Sequence, residues 1–97
     1  MFDKMKQLME MKKQADQIKR ELDGMITECA DIRGIKVVIN GSSSVQSIEI
    51  EQDRLNPEFK GRLEADLTRA VNTAIGKSQQ LAAKKMKAML PAGFPGL

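Results

Sequence analysis

A chain of 97 residues is long enough for one domain, residues 1–97, but buries only a modest share of its surface, so oligomerisation is a natural remedy for a small core. It has no His and a single cysteine, Cys29, which removes the commonest metal ligand and general base, any internal disulfide and any cysteine metal site. The formal charge of +3 and a pI near 9.2 permit an anionic partner without requiring one.

Residues 1–23 read as a helix. Met1, Leu8, Ala15 and Leu22 fall seven apart, with Met11 and Ile18 at the alternate heptad position, giving a coiled-coil-like seam interrupted by Lys4. The run is rich in Met, Lys, Gln, Leu, Glu and Ala, all good helix formers, and Gly24 is a plausible stop. About 22 residues at 1.5 Å each make a rod of roughly 33 Å, longer than a small sheet, so part of it should project.

Residues 25–51 read as a three-stranded meander. Met25 to Asp31 is the candidate first strand, with Met25, Thr27 and Cys29 inward, and Ile32-Arg33-Gly34 turns the chain. The hub is IKVVINGSSSVQSIEI. Ile35, Val37 and Ile39 alternate with Lys36, Val38 and Asn40 at the period of a half-buried strand. Gly41-Ser42-Ser43-Ser44 suits a flexible four-residue hairpin loop, and Ile48 and Ile50 share a face in the strand that follows.

The second helix is expected over residues 57–89. Asn56 is a favourable N-cap, Pro57 suits the first helical position and Glu58 the positive helix end. Phe59, Leu63, Leu67, Val71, Ala74, Ser78, Ala82, Met86 and Met89 recur at spacings of three and four. Pro91 ends the helix, and LPAGFPGL over residues 90–97 reads as an extended Pro/Gly tail with Phe94 available to dock. The fold class is therefore α+β: long N-terminal helix, three-stranded antiparallel meander, long C-terminal helix.

Charge is uneven. Lys4, Lys6, Lys12 and Lys13 occupy the first half of helix one, and Lys77, Lys84, Lys85 and Lys87 close helix two with no acid among them. If helix one runs toward the sheet and helix two away from it, both basic clusters lie at the tips, far from the sheet.

Assembled in this order, the chain resembles the YbaB/EbfC family of nucleoid-associated proteins over nearly its whole length. The resemblance rests on MFDKMKQLMEMKKQADQIKREL, IKVVINGSSSVQSIEIE, LEADLTRAVNTAI and the closing LPAGF. It implies a bacterial, non-enzymatic protein that binds duplex DNA as a tweezer-shaped homodimer with projecting helical arms. The chain departs from a typical member in a short, glycine-poor segment before the hairpin and in lacking acids in the last stretch of helix two.

The residues themselves speak against an enzyme. No nucleophile has an evident base, and no Gly-rich phosphate loop is followed by Lys; Glu49 and Glu51, the nearest thing to paired carboxylates, alternate on a strand as solvated acids commonly do. No cofactor and no small-molecule substrate are expected. Lysines on a helix are ordinarily just its solvated face. The functional reading is that they neutralise phosphates, with weak sequence preference, because Lys lacks the bidentate fork with which Arg reads guanine. Three Phe (Phe2, Phe59, Phe94) are too few for a single-strand stacking platform. The expected DNA contacts are Lys4, Lys6, Lys12, Lys13, Lys84, Lys85 and Lys87, with Lys77 secondary. The expected dimer residues are Val37, Ile39, Ile48, Ile50, Leu67 and Val71.

A prefoldin-like holdase gripping unfolded chains with helical tips is the alternative, kept open by the methionines. A membrane partner is disfavoured by the mixed charge and thin apolar stripe of helix one. No run of eighteen apolar residues occurs, the first residues lack the apolar core of a signal peptide, and a lone cysteine fits a reducing compartment, so the expected location is the cytoplasm and nucleoid.

Overall fold

The hairpin at the centre of the sequence is also the centre of the structure, a computed structural model that describes residues 2–89. The element order is α1 (Phe2–Gly24), β1 (Ile26–Ile32), β2 (Ile35–Asn40), β3 (Val45–Ile50) and α2 (Lys60–Met89), with 3-10 turns at Gln52–Arg54 and Pro57–Phe59 before α2. The three strands form an antiparallel sheet in sequence order, with β2 in the middle. The tail expected at residues 90–97, and with it the docking of Phe94, lies outside the described residues.

Several boundaries differ from expectation: α1 runs through Gly24, β1 is Ile26–Ile32 rather than 25–31, and β3 ends at Ile50 rather than 51. The first strand starts at Ile26, because the Met25 amide still donates to the Leu22 carbonyl (3.1 Å) as the last turn of α1 closes. The α-helical part of α2 starts at Lys60: Asn56 caps the preceding 3-10 turn, its side chain accepting from the Glu58 amide at 3.0 Å, and Pro57 opens that turn.

One sheet face is apolar and lies under α2. Cys29, Ile35, Val37 and Ile39 pack against Ala70 and Ala74, with Ile32, Leu63, Leu67, Val71 and Ile75 half-covered around them. Alanines at the contact let the helix axis approach the sheet closely, and Val37 and Ile39 are left with no exposed surface at all. The other face is wet. There Lys36 lies 3.1 Å from Glu49 directly opposite on β3 and 3.7 Å from Glu28 on β1, and the hydrogen bond to Glu49 raises the lysine's pKa. This is the one-sided covering that antiparallel sheets accept.

A bulge keeps β3 in phase with this division. The register shifts at Val38–Ile39, so that Ile39 faces Val45 rather than Gln46, while Val37 faces Ile48 and Ile35 faces Ile50. Val45 thereby joins the apolar face. At the β1–β2 turn Gly34 holds φ +81°, and a Cβ there would stand 2.7 Å from Cγ of Arg54; the turn and the close approach both call for glycine.

The serine-rich loop is not the free hairpin tip that its composition suggests. It is fastened to both helices. The Gly41 amide donates to the Leu22 carbonyl at 2.8 Å, and Ser42 donates to the Asp23 carboxylate, both at the end of α1. Ser78 of α2, almost wholly buried, donates to the Asn40 carbonyl at 2.7 Å and accepts from the Ser43 amide at 3.1 Å. Asn40, also buried, is satisfied by accepting from the amides of Ser42 (3.0 Å) and Ser44 (2.9 Å). The Asp23 carboxyl is held below its usual pKa by the Ser42 bond first and by Lys19 second.

From this anchor α1 runs away from the sheet, antiparallel to the end of α2. Ile18 is buried where the two helices meet, beside a cleft shared by Gln14, Gln17, Glu21, Lys85 and Met89. Residues 3–17 are exposed throughout, and the molecule measures 66 × 19 × 18 Å. The arm expected from helix length is present.

Gly41 is the tightest point of the anchor: a Cβ there would lie 2.8 Å from the Leu22 carbonyl oxygen and 3.2 Å from its Cα. Gly41→Ala is expected to destabilise the fold by about 1–3 kcal/mol, as overpacking against backbone does. Urea unfolding followed by circular dichroism measures it, and a midpoint equal to the parent's contradicts the contact.

Candidate nucleic-acid interface

The eight lysines singled out from the sequence fall into two groups. Lys4, Lys6, Lys12 and Lys13 on α1, with Lys84 and Lys87 on α2, are exposed and have no ion-pair partner among the described residues. These six cations face solvent on the two helices that leave the sheet. Lys12 and Lys13, and equally Lys84 and Lys87, lie within a turn of each other on their helices, so their fields add.

The other two are committed. Lys85 is half-buried and sits 3.0 Å from the Glu21 carboxylate, bridging α2 to α1. Lys77 donates to both oxygens of Asp31 on β1, at 2.7 and 2.8 Å, and that hydrogen bond raises its pKa. Both lysines hold elements together, and an incoming anion competes with a carboxylate already in place.

The proposed interface residues also divide. Val37 and Ile39 lie wholly in the protomer's own core and have no surface to offer a second chain. α2 already covers the centre of the sheet above them. Leu67 and Val71 are half-covered by that same packing. Ile48 on β3 is 41% exposed and Ile50 is half-buried, because β3 lies beyond the reach of α2. Val45 beside them is 37% exposed, and Leu55 and Phe59 in the connection to α2 are 60% and 53% exposed. Apolar periodicity marks Val37, Ile39, Ile48, Ile50, Leu67 and Val71 alike as inward-facing. Only packing tells which are already covered.

A third charged region was not legible in the sequence. Arg33 of the β1–β2 turn, Arg54 of the connection, and Arg62 and Arg69 of α2 gather with Asp53 and Phe59 around an open groove of about 580 Å³ at the sheet end of the molecule. Arg54 is rigidly held, donating to the Arg33 carbonyl and to Asp66, each at 2.7 Å. Asp66 in turn lies 3.5 Å from Arg69, and the Arg54 bond holds its carboxyl below the usual range. The seven-residue spacing of Arg62 and Arg69 was a signal for one helix face. Arg33 and Arg54 join them only through the fold.

Glu49, considered above for carboxylate pairing, is taken by Lys36, and among the described residues no group of three or more acids, cysteines or histidines is placed to hold a metal. Among the described residues no helix is long and apolar enough to cross a membrane. The architecture is that of a small sheet-centred α+β domain with exposed basic helices, a binding module in form.

Comparison with known proteins agrees. Residues 1–94 match the model of the YbaB/EbfC DNA-binding family, and the chain belongs to that family. It is 35% identical over 94 residues to a nucleoid-associated protein of Chloroflexus aurantiacus, spanning 96% of this chain and 93% of that one. A nucleoid-associated protein of Pelotomaculum thermopropionicum is 34% identical over 83 residues, 84% of this chain and 79% of the relative. One from Syntrophobacter fumaroxidans is 30% identical over 98 residues, covering 99% and 89%.

The Asp66–Arg54 pair predicts a pH dependence. Because the folded-state pKa of Asp66 is depressed, its contribution to stability is fully present above the unfolded value near 3.8 and is lost as pH falls through the lower folded value. Arg54→Ala is therefore expected to be less stable than the parent at pH 7, with the gap narrowing below about pH 4. Thermal melts of both proteins from pH 7 down to pH 2 check this. A gap that stays constant across that range rejects the pairing as its source.

Proposed function

We infer that the protein is a nucleoid-associated protein that binds duplex DNA as a homodimer, gripping the phosphate backbone with weak sequence preference. The observation that carries this reading is the set of six exposed lysines without an ion pair among the described residues, on the two helices that leave the sheet, in a chain of a DNA-binding family. Lysine supplies a mobile point charge that suits phosphates and discriminates bases poorly. The relatives' names speak for the bacterial nucleoid as its location.

Support for the homodimer comes from what α2 leaves bare. Among the described residues β3 is an edge strand, its outer backbone groups paired with no other strand, and Val45, Ile48 and Ile50 on its apolar face lack full cover. A second copy brought against this edge would extend a core that is small for a free-standing domain. In this reading Ile48 and Ile50 meet the partner, joined by Val45. Leu67 and Val71 flank the contact, and Val37 and Ile39 support it from beneath. The two pairs of arms would then project from a shared centre.

The holdase reading keeps one observation in its favour. Met5, Leu8 and Met9 are 63–64% exposed on α1, and Met11 is 52% exposed, an apolar surface that an unfolded chain could contact. The same experiment separates the two readings, since a holdase gains nothing from low salt.

Fluorescence anisotropy with a labelled duplex, run at several salt concentrations, tests the proposal alongside sedimentation velocity. Four to six phosphate contacts correspond to a log–log salt slope of about −4 to −5. Reversing Lys84, Lys85 and Lys87 to Glu should weaken binding by roughly ten-fold or more while the sedimentation coefficient stays that of a dimer. Lys77→Ala should stay within about two-fold of the parent, its charge being shared with Asp31. A monomer at micromolar concentration that ignores duplex in dilute buffer overturns the reading.

A further inference from the structure

We propose that the arginine groove at the sheet end is a second contact for the duplex backbone, so that α2 carries one basic track from its first turn to its last. This inference rests on the duplex-binding reading above and extends it to a part of the molecule that the arm lysines do not reach.

The track follows from helix geometry. Taking Arg62 as origin, Arg69, Lys84 and Lys87 lie 7, 22 and 25 residues further on, which at 100° per residue places all four within a sector of about 60°. A solvated helix face ordinarily mixes signs, and on this one the acid it carries is neutralised from within the fold. α2 contains two acids, Glu64 and Asp66. Glu64 lies on another side of the helix and is paired with Lys60 at 3.1 Å. Asp66 falls within the sector, but Arg54 reaches across from the connection and takes its carboxylate at 2.7 Å, with both side chains mostly covered. Asp31, the acid of β1 that lines the groove, is likewise taken by Lys77. Asp53 is the carboxylate of the groove that has no ion pair among the described residues, against the guanidinium groups of Arg33 and Arg62, which have none either, and of Arg69, which is 73% exposed.

Arg54 thus works as an internal counter-ion. It neutralises the acid that would otherwise repel a polyanion, and its second hydrogen bond, to the Arg33 carbonyl, holds the turn that presents the Arg33 side chain. What remains toward solvent is a cluster of arginines, whose planar fork binds phosphate oxygens in pairs where lysine binds one. The 25 residues from Arg62 to Lys87 span about 37 Å, close to the roughly 34–36 Å of one turn of B-form DNA. The length fits a duplex whose backbone meets α2 at both ends.

The test compares parent, Arg62→Ala, the double variant Arg62→Ala/Arg69→Ala and the double variant Arg62→Lys/Arg69→Lys for binding to a 30-base-pair duplex across a salt series, with sedimentation velocity and thermal melts on each. A double variant Lys36→Ala/Lys60→Ala removes the same charge away from the track. Expected is a loss of about ten-fold or more for the alanine pair, with the salt slope reduced by about one unit per arginine removed. The lysine pair should retain most of the slope, and the Lys36/Lys60 control should bind like the parent. Arg62→Ala alone, which breaks no ion pair, should show half the change in slope with an unaltered melt. Parent-like binding by Arg62→Ala/Arg69→Ala, or an equal loss in the Lys36/Lys60 control, overturns the proposal. So does a fall to monomer in the alanine pair, which assigns the groove to subunit contact. A parent protein that does not bind duplex instead overturns the function proposed above, and the track with it.

Discussion

Everything in this molecule depends on one interlock, where the loop between β2 and β3 is held from both sides. Backbone atoms of Gly41 touch those of Leu22 at the end of α1, while the Ser78 hydroxyl of α2 is wedged between the Asn40 carbonyl and the Ser43 amide. Two long helices that would otherwise diverge from a small sheet are thereby referred to the same few atoms. The bonds are short and the groups mostly buried, so little water competes for them. Further out the helices share only modest contact, around Ile18 and the Lys85–Glu21 bridge.

The core that supports this interlock is narrow. Four side chains of β1 and β2 and two alanines of α2 make up its fully covered part, and the edge strand contributes apolar side chains that remain partly in water. A sheet of three strands with a single covering helix has one flank to spare. That flank, with Leu55 and Phe59 close by in the chain, is where the proposed dimer would recover the missing burial. The wet face is stabilised differently, by the Lys36 ammonium between two glutamates from neighbouring strands, an arrangement of modest strength that keeps the face polar.

Much of the fold was legible from periodicity. The alternation of Ile35, Val37 and Ile39, the turn residues at 41–44 and the three-and-four spacing from Leu63 to Met89 mark elements that the structure contains. The capping signal at Asn56-Pro57 located the entry to α2, though it could not distinguish a 3-10 turn from α-helix, since both accept the same cap. The role of the serine loop was hidden because Ser43 and Ser78 are 35 residues apart and hydroxyl bonding leaves no periodic trace. The candidate site was half legible: composition locates lysines on helices, but whether a lysine is free depends on acids brought near by the fold, as Asp31 is to Lys77 and Glu21 to Lys85. For the same reason apolar pattern marked Val37 and Ile48 alike, although one is sealed within its own chain and the other is 41% exposed.

The manner in which Gly41 meets α1 has a further consequence. The closest approach is to a carbonyl oxygen, an atom that every amino acid possesses, with the Leu22 Cα and Cδ2 both 3.2 Å from where a Cβ would stand. The heading of the rod is therefore set at its sheet end, by this contact together with the Ser42–Asp23 bond, Ile18 and the Lys85–Glu21 bridge. Substitutions along residues 3–10, beyond the clefts that α1 shares with α2, are free to retune its charge, its greasiness or its preference for one polymer over another without steering it elsewhere. The scaffold separates aim from grip, so that one can be revised while the other is inherited.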